Sequence, residues 1–185
     1  MIGHLLAMPE QAARLDDTVD LDELLRSIIE DNQIEATKKS VRLEFSRRTA
    51  ADEALVSANA SQLHSALENI IRNAIHYTNE GTQVEVTLSE SSEPPHAANG
   101  ASAREEHSYW VSVSDCGPGV PEQELPRIFE PFYRVDRARN RKTGGYGIGL
   151  AIVHRVIAAH HGNVHAHNGA NGLVVEVQLP KNAAT

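Results

Sequence analysis

Three long stretches of helical period stand among six of period two, and their order most narrows the folds open to this chain. In VDLDELLRSIIEDNQIEATKKS, Leu21, Leu24, Leu25, Ile28 and Ile29 recur at helical spacing, and Asp20 stands three residues before Glu23 as a capping-box start. NASQLHSALENIIRNAIHYTNEG predicts a second helix, capped near Asn59 and ended by Gly81, and LAIVHRVIAAHHG a third, stopped at Gly162. Between them VRLEF alternates Val41, Leu43 and Phe45; QVEVTLS alternates Val84, Val86 and Leu88; YWVSVSD alternates Tyr109, Val111 and Val113. EALVSA is a weaker strand, and NVHAH and LVVEVQLP, joined by the turn-rich NGANG, make a terminal hairpin. Strands cluster here without strict βαβ alternation, which argues against a doubly wound fold. The expectation is an α+β chain, a two-layer α/β sandwich whose mixed, mostly antiparallel sheet is covered on one face by helices.

The remaining segments are less regular. Residues 1 to about 12 read as a short helical piece followed by a polar joint. SESSEPPHAANGASAREEH is polar, has no period and is expected to be a mobile surface loop. With 185 residues there is material for one well-buried core. No apolar run reaches the ~18 residues that a membrane span needs, and MIGHLLAM is too short and lacks the basic lead of a signal peptide. A lone cysteine, Cys116, excludes an internal disulfide framework and fits a reducing compartment. The net charge of −8 argues against general nucleic-acid binding. Charge is nevertheless uneven: Arg127, Arg134, Arg137, Arg139, Arg141 and Lys142 face only Glu130 and Asp136 over one segment, a local patch suited to an anionic ligand.

Three motifs carry chemistry. In ENIIRNA, Asn69 and Asn73 lie four apart, so a helix presents both amides on one face. Their neutral oxygens are of the kind that Mg²⁺ shares with water and substrate phosphates. SDCGPGV follows a strand pattern directly; Asp115 can accept from an exocyclic amine, and Gly117 and Gly119 leave room for a planar ring against the backbone. TGGYGIGLAIV places Gly145, Gly147 and Gly149 immediately before an apolar helix, an approach suited to phosphate. Each motif alone has a plain reading as capping asparagines, a strand-ending turn or a loop. Their order, with the basic segment between the second and third, supplies metal, base, charge and phosphate contacts for one nucleotide.

In this combination the chain resembles the ATP-binding catalytic domain of sensor histidine kinases, within the superfamily that includes DNA gyrase, MutL and a heat-shock chaperone. ENIIRNAIHYT resembles the N box, DCGPG the first glycine box, GGYGIGL the second, and RIFEPFYR the F box with Phe129 and Phe132 as its aromatics. The F box favours a kinase over the runner-up, an ATPase clamp of the gyrase or MutL kind. The resemblance covers about residues 20 to 180 and implies a Bergerat-type fold that binds ATP and Mg²⁺. It implies that Asp115 recognises the adenine amine, that Asn69 and Asn73 hold Mg²⁺ and phosphates, and that Glu68 polarises the acceptor beside Asn73. Gly117 and Gly119 would shape the base pocket, and Gly145, Gly147, Gly149 and Leu150 the hinge and cradle beside a lid. Tyr77 and His76 would lie near the nucleotide, with Arg134 and Lys142 as lid contacts to phosphate. Many family members carry Lys or Arg where His76 stands, and Thr where this chain has Leu173.

Such kinases phosphorylate a histidine in a separate dimerisation domain and pass the group to a response regulator. HLLAMP, His4 to Pro9, imitates the acceptor motif's outer spacing, but Leu5 stands where an acidic residue belongs, so His4 is not the acceptor. The expected division is residues 1–19 as the end of a dimerisation helix with its joint, and 20–182 as the ATP-binding domain. It would form the cytoplasmic part of a homodimeric sensor protein anchored in the inner membrane. His160 and His161 are expected to end a helix, where imidazolium is favoured by ~0.3–1 kcal/mol. His165 and His167 alternate on a strand with no third metal ligand apparent from spacing, so they are expected to be surface residues.

Overall fold

The computed structural model describes residues 15–50, 52–91, 108–135 and 147–181. Helix α1 (Leu21–Lys38) begins where the Asp20 carboxylate accepts a hydrogen bond from the Asp22 amide at 2.9 Å. It buries Leu21, Leu25, Ile28 and Ala36, a stripe of helical spacing that fixes which face meets the core. Strand β1 (Asp17–Asp20), just before it, was not expected, because DTVD holds one apolar side chain and no alternation. It pairs antiparallel with β3 (Leu55–Ala58), and this two-stranded sheet is separate from the main one.

The main sheet has the order β2 (Arg42–Arg48), β4 (Gln83–Ser91), β5 (Ser108–Ser114), β7 (Leu173–Pro180), β6 (Asn163–Asn168). Only β2 and β4 run parallel, so the sheet is mixed and mostly antiparallel as expected. Helices α2 (Ala60–Tyr77) and α3 (Gly149–Ala159) pack with α1 over one face. The core forms there. Leu63, Leu67, Ile70, Ile71 and Ile75 of α2 and Val153 and Ile157 of α3 meet Val84, Val86, Leu88, Tyr109, Val111, Val113, Val177 and Leu179 of the sheet. Period two makes the other face polar: Ser46 contacts Thr87, Gln178 donates to Ser108, and Glu176 bonds His165.

Two helix ends differ from expectation. Helix α2 stops at Tyr77, four residues before Gly81, because other groups satisfy its last carbonyls. The Lys39 ammonium donates to the carbonyls of Ile75 (2.8 Å), His76 and Thr78 (2.7 Å), placing a cation at the negative end of the helix. Gly81 serves the following turn with φ +76°. Replacing Lys39 with Met is expected to lower stability by about 2 kcal/mol, since carbonyls lose charge-assisted partners; a denaturant midpoint unchanged in K39M would count against this role.

Helix α3 ends in a Schellman motif whose left-handed residue is His161, at φ +58°, rather than Gly162. The His161 amide bonds the Ala158 carbonyl (3.0 Å) and the Gly162 amide that of Ile157 (2.9 Å). Gly162 is required for space, since a methyl there would lie 2.2 Å from the Gln178 carbonyl oxygen. His160 is buried, and its Nε2 accepts from the Asn59 amide (3.0 Å) while Nδ1 faces the Val156 carbonyl (2.7 Å). His160 thus ties the end of α3 to the start of α2.

Candidate functional site

The end of β5 runs straight into the first glycine motif, and its carboxylate is held before any ligand arrives. Asp115 is buried; its Oδ1 accepts from the Gly117 amide (2.8 Å) and the Leu173 amide (3.1 Å), while its own amide donates to the Leu173 carbonyl (3.0 Å). Among the described residues Oδ2 accepts nothing, so one oxygen anchors the group and the other remains for a donor. Burial pushes the carboxyl above the ordinary aspartate range, against the opposing pull of the two amides and the Lys39 charge.

Close backbone approach explains the glycines. A methyl on Gly117 would lie 2.5 Å from the Tyr77 carbonyl oxygen, so this residue lets the end of α2 come against the strand end. The junction is stitched further: the Cys116 amide donates to Thr78 Oγ1 (2.9 Å), and Asn79 Nδ2 donates to the Cys116 carbonyl (2.5 Å). Gly119 has φ +68°, and Asn168 of β6 grips the next residue, accepting from the Val120 amide (2.9 Å) and donating to its carbonyl (2.6 Å).

The second glycine motif meets the asparagine pair. A methyl on Gly149 would stand 3.2 Å from Asn69 Oδ1 and 3.8 Å from Asn73 Nδ2, so the start of α3 rests directly on both amides. Asn69 Nδ2 donates to the Ser65 carbonyl (2.8 Å), which leaves Oδ1 as the outward acceptor. Leu150 follows on the first turn of α3 and packs against the core. Gly147 has φ +69°, and its carbonyl accepts from the Phe132 amide (2.8 Å), tying the second glycine motif to the aromatic element before it. Phe132 is exposed with φ +65°, a strained conformation for a non-glycine residue; Phe129 packs against the core.

Arg134 lies beside Gly147, 3.2 Å from where its methyl would be, and its charge reaches His76. The His76 ring is held below the ordinary histidine range by burial and by the positive charges of Lys39 and Arg134, with Glu35 opposing. It meets Tyr77 edge to face, centroids 4.8 Å apart, and Tyr77 is half exposed on the last turn of α2. Glu68 is partly buried on α2 and, one residue before Asn69, stands about 100° round the helix from it. Lys142 and Gly145 lie outside the described residues, as does His4.

Sequence reasoning missed the hairpin's part in this site. A methyl on Gly172 would lie 2.3 Å from Asp115 Oδ1 and 2.7 Å from the Gly117 amide nitrogen, so the missing side chain makes room for the carboxylate. The Leu173 position acts through its backbone amide, whatever its side chain. Lys39, Thr78 and Asn168 complete the frame. NGANG gave a turn signal, but nothing local shows which strand end, 58 residues away, the turn would meet.

Residues 58–183 match the family described as histidine kinase-, DNA gyrase B- and HSP90-like ATPase. The chain is 33% identical to the sensor histidine kinase CpxA of Escherichia coli over 97% of its own length, and 34% identical to the sensor histidine kinase WalK of Bacillus subtilis over 80%. It spans 36% and 22%, respectively, of the lengths of these relatives. Among solved structures, the nucleotide-free catalytic domain of histidine kinase ThkA superposes with a TM-score of 0.69 at 26% identity, covering 89% of this chain and 97% of that one. Full-length ShkA in complex with AMPPNP superposes at 0.68 with 29% identity, over 91% of this chain and 32% of that one. With Gly149 resting on the asparagine pair and the buried Asp115 held beside Gly117, the chain belongs to the histidine kinase-, DNA gyrase B- and HSP90-like ATPase family, as a histidine-kinase ATP-binding domain.

Proposed function

We propose that this chain binds Mg·ATP with adenine at Asp115 and phosphates at Asn69, Asn73 and the start of α3, for transfer of the γ-phosphate to a histidine in a dimerisation domain. The observation that carries the reading is the contact of Gly149 with both asparagine amides, which joins the phosphate and metal ends of the site. The neighbour ShkA, in complex with AMPPNP, supports it by likeness. Residues 20–182 form the ATP-binding part in this reading, and 1–19 the end of a dimerisation helix and its joint. The whole protein is a homodimeric sensor kinase of the inner membrane with this part in the cytoplasm, and a response regulator receives the phosphoryl group. Among the described residues no helix is long and apolar enough to cross a membrane.

The residues divide the work by chemistry. Asp115 Oδ2 accepts from the exocyclic amine while Oδ1 keeps its backbone bonds, so the base is read by a group that need not move. Gly117 and Gly119 shape the base pocket by letting the chain beside Asp115 close against the Tyr77 carbonyl and the Asn168 amide. Asn69 Oδ1 and the Asn73 amide are neutral hard donors that would hold Mg²⁺, and the ion would supply positive charge against the phosphates. Gly147 and Gly149 give the phosphates access to the exposed amides at the start of α3. Arg134, with Lys142 and Gly145 in the neighbouring segment, completes the lid, and Tyr77 lines the mouth. Glu68 polarises the acceptor histidine. Positioning and charge neutralisation carry most of the rate.

His76 stays uncharged near neutral pH, since its surroundings depress its proton affinity, and so brings no cation to phosphate. Lysine there is expected to tighten ADP binding by up to about fivefold, the ~1 kcal/mol of a partly exposed ion pair; H76K binding no better than wild type in a titration would remove His76 from the phosphate surroundings. The reading as a whole is tested by incubating the chain with Mg²⁺ and γ-labelled ATP. Nucleotide should bind without acid-labile phosphohistidine accumulating, and stoichiometric phosphohistidine on this chain would overturn the assignment of the acceptor to another domain.

A further inference from the structure

On the sheet face turned away from the helices, the terminal hairpin gathers two imidazoles and a carboxylate. His165 stands directly opposite Glu176 in the β6–β7 register, and His167 opposite Val174, one diagonal step away on the same face. His165 Nε2 lies 2.6 Å and His167 Nδ1 3.8 Å from Glu176 Oε2, and the three ligand atoms all fall within 4.8 Å of one another. It is the one group of three or more metal-ligating side chains found among the described residues. The third ligand that strand spacing alone did not show comes from the partner strand.

We propose that His165, His167 and Glu176 form a binding site for a divalent transition-metal ion of the zinc class, with a fourth position open to solvent. The donor set is the one such ions favour: two imidazole nitrogens and one carboxylate oxygen, three protein ligands with room for water. Bonds of about 2.0–2.1 Å place tetrahedral ligand atoms ~3.4 Å apart, and the two distances to Glu176 fall on either side of that value. Small rotations of the rings reach it. Burial also favours a cation, because Glu176 is 1% exposed while the two imidazoles are 42% and 27% exposed. A carboxylate that far from water is stable beside a positive charge, and the exposed ring edges leave a path for the ion. The imidazoles disfavour Mg²⁺ and Ca²⁺, which take oxygen ligands. The site is therefore chemically distinct from the asparagine pair of the nucleotide site and does not depend on that assignment.

A built-in reporter stands beside it. Trp110, the only tryptophan in the chain, lies edge to face with His165 at 5.9 Å between ring centroids. Titrating the chelator-treated protein with Co²⁺ in buffer containing excess Mg²⁺ should quench Trp110 fluorescence saturably at one equivalent, and Zn²⁺ should reverse the quench. H165Q and H167Q should each weaken Co²⁺ binding at least about tenfold, while H161Q, altered at an exposed histidine outside the cluster, should not. Folding of each variant is checked by circular dichroism. Absence of a saturable quench in the wild-type protein, or equal binding by folded H165Q and H167Q, overturns the proposal.

Discussion

Asparagine in place of Asp115 is expected to leave the empty domain at least as stable as wild type while weakening ADP binding by about thirtyfold or more. Both halves follow from one geometry. The Gly117 and Leu173 amides are held by Oδ1 alone, and an asparagine amide oxygen can hold them in the same place. What changes is Oδ2, the acceptor left for a donor, which becomes an amide NH₂ and opposes the exocyclic amine of adenine donor to donor. Losing a charge-assisted hydrogen bond and leaving an unpaired donor costs ~2 kcal/mol or more in binding. In the folded state burial raises the carboxyl's proton affinity, so ionised Asp115 is a cost to the empty fold. That cost is absent below the unfolded aspartate pKa and present in full above the raised folded one. The melting temperature of D115N should therefore gain on wild type as pH rises through that window and then run parallel. Wild-type ADP affinity should fall in acid at a higher pH than an ordinary aspartate would cause. A variant that binds ADP as wild type does, or one that unfolds, would show that Asp115 is structural.

Alanine at Gly172 should produce the opposite pattern, a loss of fold and site together. Its methyl would come within 2.3 Å of Asp115 Oδ1, 2.5 Å of the Asp115 carbonyl oxygen and 2.7 Å of the Gly117 nitrogen. Two of these are backbone atoms just past the end of β5, where the Asp115 amide is bonded to the Leu173 carbonyl, so no side-chain rotation relieves the contact. Overpacking of this kind costs ~3 kcal/mol, and the displaced strand end carries Asp115 with it. G172A should thus unfold at clearly lower denaturant and lose ADP binding even where it remains folded. Alanine at Gly169, in the same turn, would meet a Val174 methyl at 2.8 Å, the end of a side chain that can shift, and serves as the milder comparison. Similar losses in the two variants would mean that the turn, and not contact with Asp115, sets the effect.

What the sequence made legible was whatever repeats locally. Periodicity located α1, α2, α3 and the main-sheet strands, because burial on one face leaves a period of 3.6 or 2 in the chain. It missed β1, whose pairing with β3 is backbone hydrogen bonding with almost no apolar pattern. Of the site, Gly149 does meet Asn69 and Asn73, and Asp115 does meet Gly117. Gly172, Leu173, Asn168 and Lys39 were invisible as site residues because each acts through a backbone group or a contact across the fold. Helix ends misled for a related reason: α2 ends at carbonyls capped by a lysine just past the end of α1, and α3 at a left-handed histidine. The Glu176 carboxylate was hidden in the same way, since only strand register brings it to His165 and His167.

The most direct test of the central claim is a calorimetric titration of this chain with ADP and GDP, each with and without Mg²⁺. The geometry at Asp115 predicts that ADP binds, that GDP with its carbonyl at the corresponding ring position does not, and that Mg²⁺ strengthens ADP binding. Equal binding of the two nucleotides, or no binding by a folded chain, would contradict it.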